Sequence, residues 1–116
     1  MNHADRFRYT ADRLDRLADV PTDSLAHIVI RDAACIDALT AEDPPELTGE
    51  DAADRELAAR LCSGCPVQEE CLELELRWTG AHTAGVFGAL PDKDRRALYP
   101  YWRARRTRRY RGGDQR

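Results

Sequence analysis

Apolar residues recur along this chain at steps of three and four, and each such run is followed by a proline or a glycine. Over residues 4 to 18, Phe7, Ala11, Leu14, Leu17 and Ala18 share one face of an amphipathic helix, which Pro21 stops. Thr22, Asp23 and Ser24 offer N-caps for a second helix reaching about Ile36, striped by Leu25, Ile28, Val29 and Ile36 with Cys35 beside Ile28. The β-branched run Ile28-Val29-Ile30 also admits a short strand, but the stripe fits the helical period better. Residues 37 to 49, with Asp43-Pro44-Pro45, read as a loop. From 50 to 62 the period returns, with Ala53, Leu57 and Leu61 four apart and Cys62 at the exit. A fourth helix, 66 to 78, sets Val67, Cys71, Leu74 and Trp78 on one face and Leu72 and Leu76 on the opposite side, so neighbours are expected on both. Gly85-Val86-Phe87-Gly88-Ala89 reads as a tight turn. A fifth helix then opens at Pro91 with acids in its first turn, and Pro100 ends or kinks it. The pattern predicts an all-α domain, a small bundle of about four to five short helices.

The chemistry is concentrated in the cysteines. Cys62, Cys65 and Cys71 fall within ten residues, and Cys35 lies one loop away. Gly64 supplies the positive φ that helix ends favour, and Pro66 suits the first turn of the following helix, so the Cys-x-x-Cys pair forms a corner between two helices. Cys71, roughly two turns into that helix, points inward. Four thiols so placed can converge on one inorganic centre, and thiolate softness alone does not separate zinc from an iron-sulfur cluster.

Composition and charge add a division of the chain. One small domain fits 116 residues with 42% hydrophobic content. The charged N-terminus shows no signal peptide, and no run reaches membrane-spanning length, so a cytoplasmic protein is expected whose cysteines bind metal or do redox chemistry. The formal charge of −3 hides a split, because residues 101–116 carry seven Arg against Asp114 and stand at +6, leaving −9 elsewhere. Three segments follow: an N-terminal amphipathic extension (1–21), a cysteine-bearing domain (22–100) and an arginine-rich tail (101–116). Arg103, Arg105, Arg106, Arg108, Arg109 and Arg111, with Tyr101, Trp102 and Tyr110 nearby, suit phosphate contact, so DNA is an expected partner.

The order Cys35, Cys62-x-x-Cys65, Cys71, with Cys65-Pro66-Val67, a glycine-bracketed Val-aromatic turn and a basic C-terminus, resembles the WhiB-like proteins of actinobacteria and their phages over roughly residues 30 to 111. The resemblance implies a 4Fe-4S cluster on Cys35, Cys62, Cys65 and Cys71. It also implies binding to the C-terminal region of the primary sigma factor through Gly85, Val86, Phe87 and Gly88, and regulation of transcription in response to nitric oxide or oxygen. It implies neither catalytic turnover nor a small-molecule substrate. The chain departs from the usual family turn, Gly-Val-Trp-Gly-Gly, by carrying Phe87 and Ala89, and its tail lacks an Arg-Gly-Arg-Pro hook.

Two rival readings stand beside this one. A zinc-stapled interaction module would use the same four thiols, although zinc sites of that kind often carry two Cys-x-x-Cys knuckles. A thiol-disulfide oxidoreductase would use Cys62 and Cys65, but the βαβ context expected for it is missing. His3, His27 and His82 share no ligand spacing with the cysteines and read as ordinary histidines, while Trp78 reads as core.

Overall fold

The computed structural model describes residues 2–33, 46–82, 86–87 and 89–114, with 86–87 and 109–114 as backbone only. Among them are five α-helices: α1 (His3–Leu14), α2 (Thr22–Asp32), α3 (Asp51–Leu61), α4 (Gln68–Trp78) and α5 (Asp92–Asp114). Short 3-10 turns follow α1 and α4, and a ribbon of two-residue strands, β1 (Val86–Phe87) and β2 (Leu90–Pro91), precedes α5. The strands run antiparallel, Val86 opposite Pro91 and Phe87 opposite Leu90. The all-α class expected from the periodicity is the class observed.

Local chemistry explains where the helices begin and how they are rotated. Asn2 caps α1, its side-chain oxygen accepting the Asp5 amide at 2.8 Å. Pro21, not a polar side chain, precedes α2; the expected cap Thr22 lies inside the first turn and accepts a bond from Arg77 instead. This helix ends at Asp32, short of the expected Ile36, with Ala33 extended; Cys35 and Ile36 lie outside the described residues. In α3 the buried line is Asp54, Ala58 and Cys62, one residue on from the expected Ala53, Leu57 and Leu61. Asp54 takes the inner position because its carboxylate is satisfied there, accepting the Thr48 and Gly49 amides at 2.7 and 2.9 Å and the Thr48 hydroxyl at 2.8 Å.

Burial surrounds α4, where Cys71, Leu72, Glu73, Leu74 and Leu76 are all enclosed, as its two apolar sides required. Pro66 falls before its first turn, since Val67 is the N-cap residue. Trp78, expected in the core, is 60% exposed at the last position of α4. Nor does Pro100 end α5, which runs on to Asp114. The missing amide bond falls on an exposed turn, where water can serve the Arg96 carbonyl. Residues 101–114 therefore continue the helix that begins at Asp92.

Two apolar clusters result. The larger joins Ala11, Leu14 and Leu17 to Leu25, to Leu72, Leu74 and Leu76 of α4, and to Leu98 of α5. The smaller packs Ala58 and Cys62 against Leu47, Leu61 and Ala89. Ion pairs fix the helices across these clusters. Arg55 holds Asp94 with two bonds of 2.9 and 3.1 Å, and Glu69 receives Arg13 at 2.7 Å and Arg16 at 2.6 Å.

At the centre of the larger cluster stands a fully buried carboxylate. Glu73 accepts Arg77 Nε at 2.7 Å, Arg106 Nη1 and Nη2 at 2.6 and 2.7 Å, and Trp102 Nε1 at 3.0 Å. The two guanidiniums continue outward to backbone carbonyls: Arg106 to Leu14 at 2.8 Å, and Arg77 to Leu17 and Val20 at 2.8 and 2.7 Å. One acid thereby joins α4, α5 and the end of α1.

Three outcomes test this architecture. Glu73→Ala should lower the free energy of unfolding in urea by about 3–5 kcal/mol, because it strands the buried Arg106 guanidinium and removes the partner of the part-buried Arg77. Ala89 sits at φ +66 in the turn between the strands, a conformation that disfavours a Cβ. Ala89→Gly should raise stability by about 0.5–1 kcal/mol, the left-handed penalty less the entropy glycine adds to the unfolded chain. The Thr48 amide, with its hydroxyl and the Gly49 amide, holds the Asp54 carboxyl below the usual carboxylate range. Its stabilisation should be present above about pH 4 and lost as pH falls through the lower folded-state value, so the urea midpoints of wild type and Asp54→Asn should converge in acid.

Candidate metal centre and basic helix

The corner between α3 and α4 carries the three described thiols. Cys62 ends α3, its amide bonded to the Ala58 carbonyl at 3.1 Å, and the chain then reverses through Gly64 at φ +73. The Cys65 amide closes this turn on the Cys62 carbonyl at 3.1 Å, and Gln68 Nε2 donates to the same oxygen. The Cys71 amide bonds the Val67 carbonyl at 2.9 Å as α4 begins. Cys62 and Cys71 are buried, whereas Cys65 is partly exposed. Cys35, the fourth expected ligand, lies outside the described residues.

Groups that favour negative charge on sulfur face this corner. The Ala89 amide donates to Cys62 Sγ at 3.2 Å, a bond across 27 positions of sequence. Arg95, fully buried at the start of α5, donates through Nη1 to the Leu90 carbonyl and interacts electrostatically with Cys71. Burial lowers the pKa of this guanidinium, and Glu75, Asp92 and Cys71 oppose the shift. A cation and an amide N–H beside thiols both stabilise the thiolate, the form that binds metal. The donor set, soft sulfur with such neighbours, fits an iron-sulfur or zinc centre. Among the described residues no three His, Cys, Asp or Glu side chains stand together as a site for a single metal ion.

The expected sigma-contact turn adjoins this corner. Val86 and Phe87 form β1, and Gly85 and Gly88 lie outside the described residues. Ala89, next in the chain, packs against the small cluster of Ala58 and Cys62.

The six arginines expected on DNA divide into groups. Arg103 and Arg108 are exposed and make no ion pair among the described residues. Arg105 is bound by Asp15 and by Asp12, the latter at 2.8 Å, and Arg106 is buried on Glu73. Arg109 and Arg111 lie in the last turns of α5. Sequence reasoning passed over Glu73, Asp12 and Asp15 as partners. The one available signal was an acid at Glu73 between leucines on a helix apolar on two sides.

Comparison with known families agrees with this site. The model described as transcription factor WhiB matches residues 31–98, a stretch that holds all four cysteines, α3, α4, the ribbon and the start of α5. No curated protein and no solved structure matches the chain. With more than half of its length matched, and with its cysteine corner folded against the ribbon, the chain belongs to the WhiB family of transcription factors.

Proposed function

We propose that this protein is a cytoplasmic transcription regulator that holds a 4Fe-4S cluster on Cys35, Cys62, Cys65 and Cys71. It meets the C-terminal region of the primary sigma factor through Gly85, Val86, Phe87 and Gly88, and DNA through α5. The observation that carries this reading is the bond from the Ala89 amide to Cys62 Sγ, which ties the thiol corner to the partner-binding turn.

Bound there, the cluster supplies an iron centre that nitric oxide or oxygen can attack. The chain converts loss of ligation into a change of shape. Cys62 Sγ helps to hold Ala89 in its left-handed conformation, which costs about 1–2 kcal/mol for a residue with a Cβ. Once Cys62 is oxidised or released, that hold weakens and the turn relaxes. Arg95 anchors the other side of the turn through the Leu90 carbonyl, so the motion is confined to the segment that would face the sigma factor. Phe87 offers an apolar plane to that partner, without the indole donor of the usual tryptophan.

A disulfide oxidoreductase fits less well. Its attacking thiol needs exposure and the positive end of a helix, whereas Cys62 is buried at the C-terminal end of α3.

Anaerobic purification followed by absorption spectroscopy and metal analysis tests the reading. About four irons and four sulfides per chain are expected, with a brown chromophore bleached by nitric oxide. Single Cys→Ser changes at positions 35, 62, 65 and 71 should each abolish it. A colourless protein with roughly one zinc after iron-sulfur reconstitution would replace this reading by a structural zinc module.

A further inference from the structure

The outer side of α5 carries a groove that the cysteine corner does not use. Three depressions of about 360, 630 and 550 Å³ follow one another along it. The first shares Tyr99 and Arg103 with the second, and the second shares Pro100, Ala104 and Arg108 with the third. Arg103 and Arg108 line it, with Arg8 at the far end and His82 at the near end, and no Asp or Glu among the described residues lines any of the three. In a chain with a formal charge of −3, a track whose described lining holds no acid, beside two guanidiniums without an ion pair among the described residues, favours a polyanion.

At the near end stands Trp78, 60% exposed and without a ring contact among the described residues. Trp102, by contrast, stacks on Tyr99 and donates to Glu73. Gly80 has φ +54, and a Cβ there would come within 3.0 Å of the Tyr99 ring, so the Tyr99 ring lies directly against this backbone. An indole plane beside guanidiniums matches the way unpaired bases are held, by stacking on an aromatic face while cations follow the phosphates. A duplex keeps its bases stacked on one another and offers such a face only its backbone. Arg103 and Arg108 stand about 140° apart around α5, but both line the middle depression, so they flank a strand laid across it.

We propose that this groove binds a single-stranded nucleic-acid segment, with Arg103 and Arg108 on its phosphates and Trp78 stacked on an unpaired base. The proposal rests on the DNA-binding reading of α5 and adds the form of the strand and the residue that recognises it.

Fluorescence anisotropy with the anaerobically purified protein, using a labelled oligothymidine and a labelled mixed-sequence duplex of equal length, tests it. The single strand should bind more tightly and quench the emission of Trp78. Trp78→Ala should weaken the single strand by roughly tenfold to a hundredfold and leave the duplex unchanged, while Trp78→Phe should retain most of the affinity. Arg103→Gln with Arg108→Gln should weaken both ligands and flatten the log-log salt slope for the single strand by about 1.4. Both tryptophan variants change an exposed side chain, and unaltered circular dichroism would establish that the fold is intact. Duplex binding that falls in the arginine variant, with Trp78→Ala neutral on both ligands, would overturn the stacking proposal and leave DNA binding by α5 standing. Failure of both ligands to bind would overturn the two together.

Discussion

A carboxylate without access to water must find its counter-charges inside the fold, and Glu73 finds two guanidiniums and an indole N–H. Isolated in the interior, its charge would cost several kcal/mol. The arginines that neutralise it come from different places, Arg77 one turn further along α4 and Arg106 from α5. Each also satisfies backbone carbonyls at or just beyond the end of α1. The network thus fixes where α1 stops, how α5 lies on α4, and why a chain segment dense in arginine folds as helix against the body. Its geometry is harder to replace than an apolar contact, because shifting any helix strands a charge.

The cysteine corner stands outside this core. Its own apolar support is small, Ala58 and Cys62 with Leu47, Leu61 and Ala89 around them. It connects to the larger cluster through α4, where Cys71 is two residues from Glu73, and through α5, where Asp94 holds Arg55 of α3. A segment with little buried area gains much from a centre that cross-links it, and loses order readily when that centre is lost. The αL conformation of Ala89 adds a modest strain at the same place.

Charge follows a similar logic. The basic end of the chain does not act as one patch, since Arg105 and Arg106 are consumed by Asp12, Asp15 and Glu73. Among the described side chains of this end, Arg103 and Arg108 remain outward, set on a helix next to exposed aromatic surface. Rigid placement favours a defined contact over a diffuse electrostatic one.

Sequence alone determined the helical class, the corner at Cys62 and Cys65 with its positive-φ Gly64, and the enclosure of α4 on two sides, because helical period and glycine conformation are local properties. The family resemblance was legible for the same reason, being carried by spacing within a short stretch. Tertiary structure decided what local rules cannot weigh. Asp54 turns inward because the Thr48 and Gly49 amides meet it. Trp78 stays 60% exposed at the last position of α4, where no ring among the described residues packs on it. The helix passes through Pro100 because its far half is held by Glu73, Asp12 and Asp15. The passage through Pro100 depends on partners far away in sequence and the inward turn of Asp54 on how the loop five and six residues before it folds, so residue type and helical period could not reveal either.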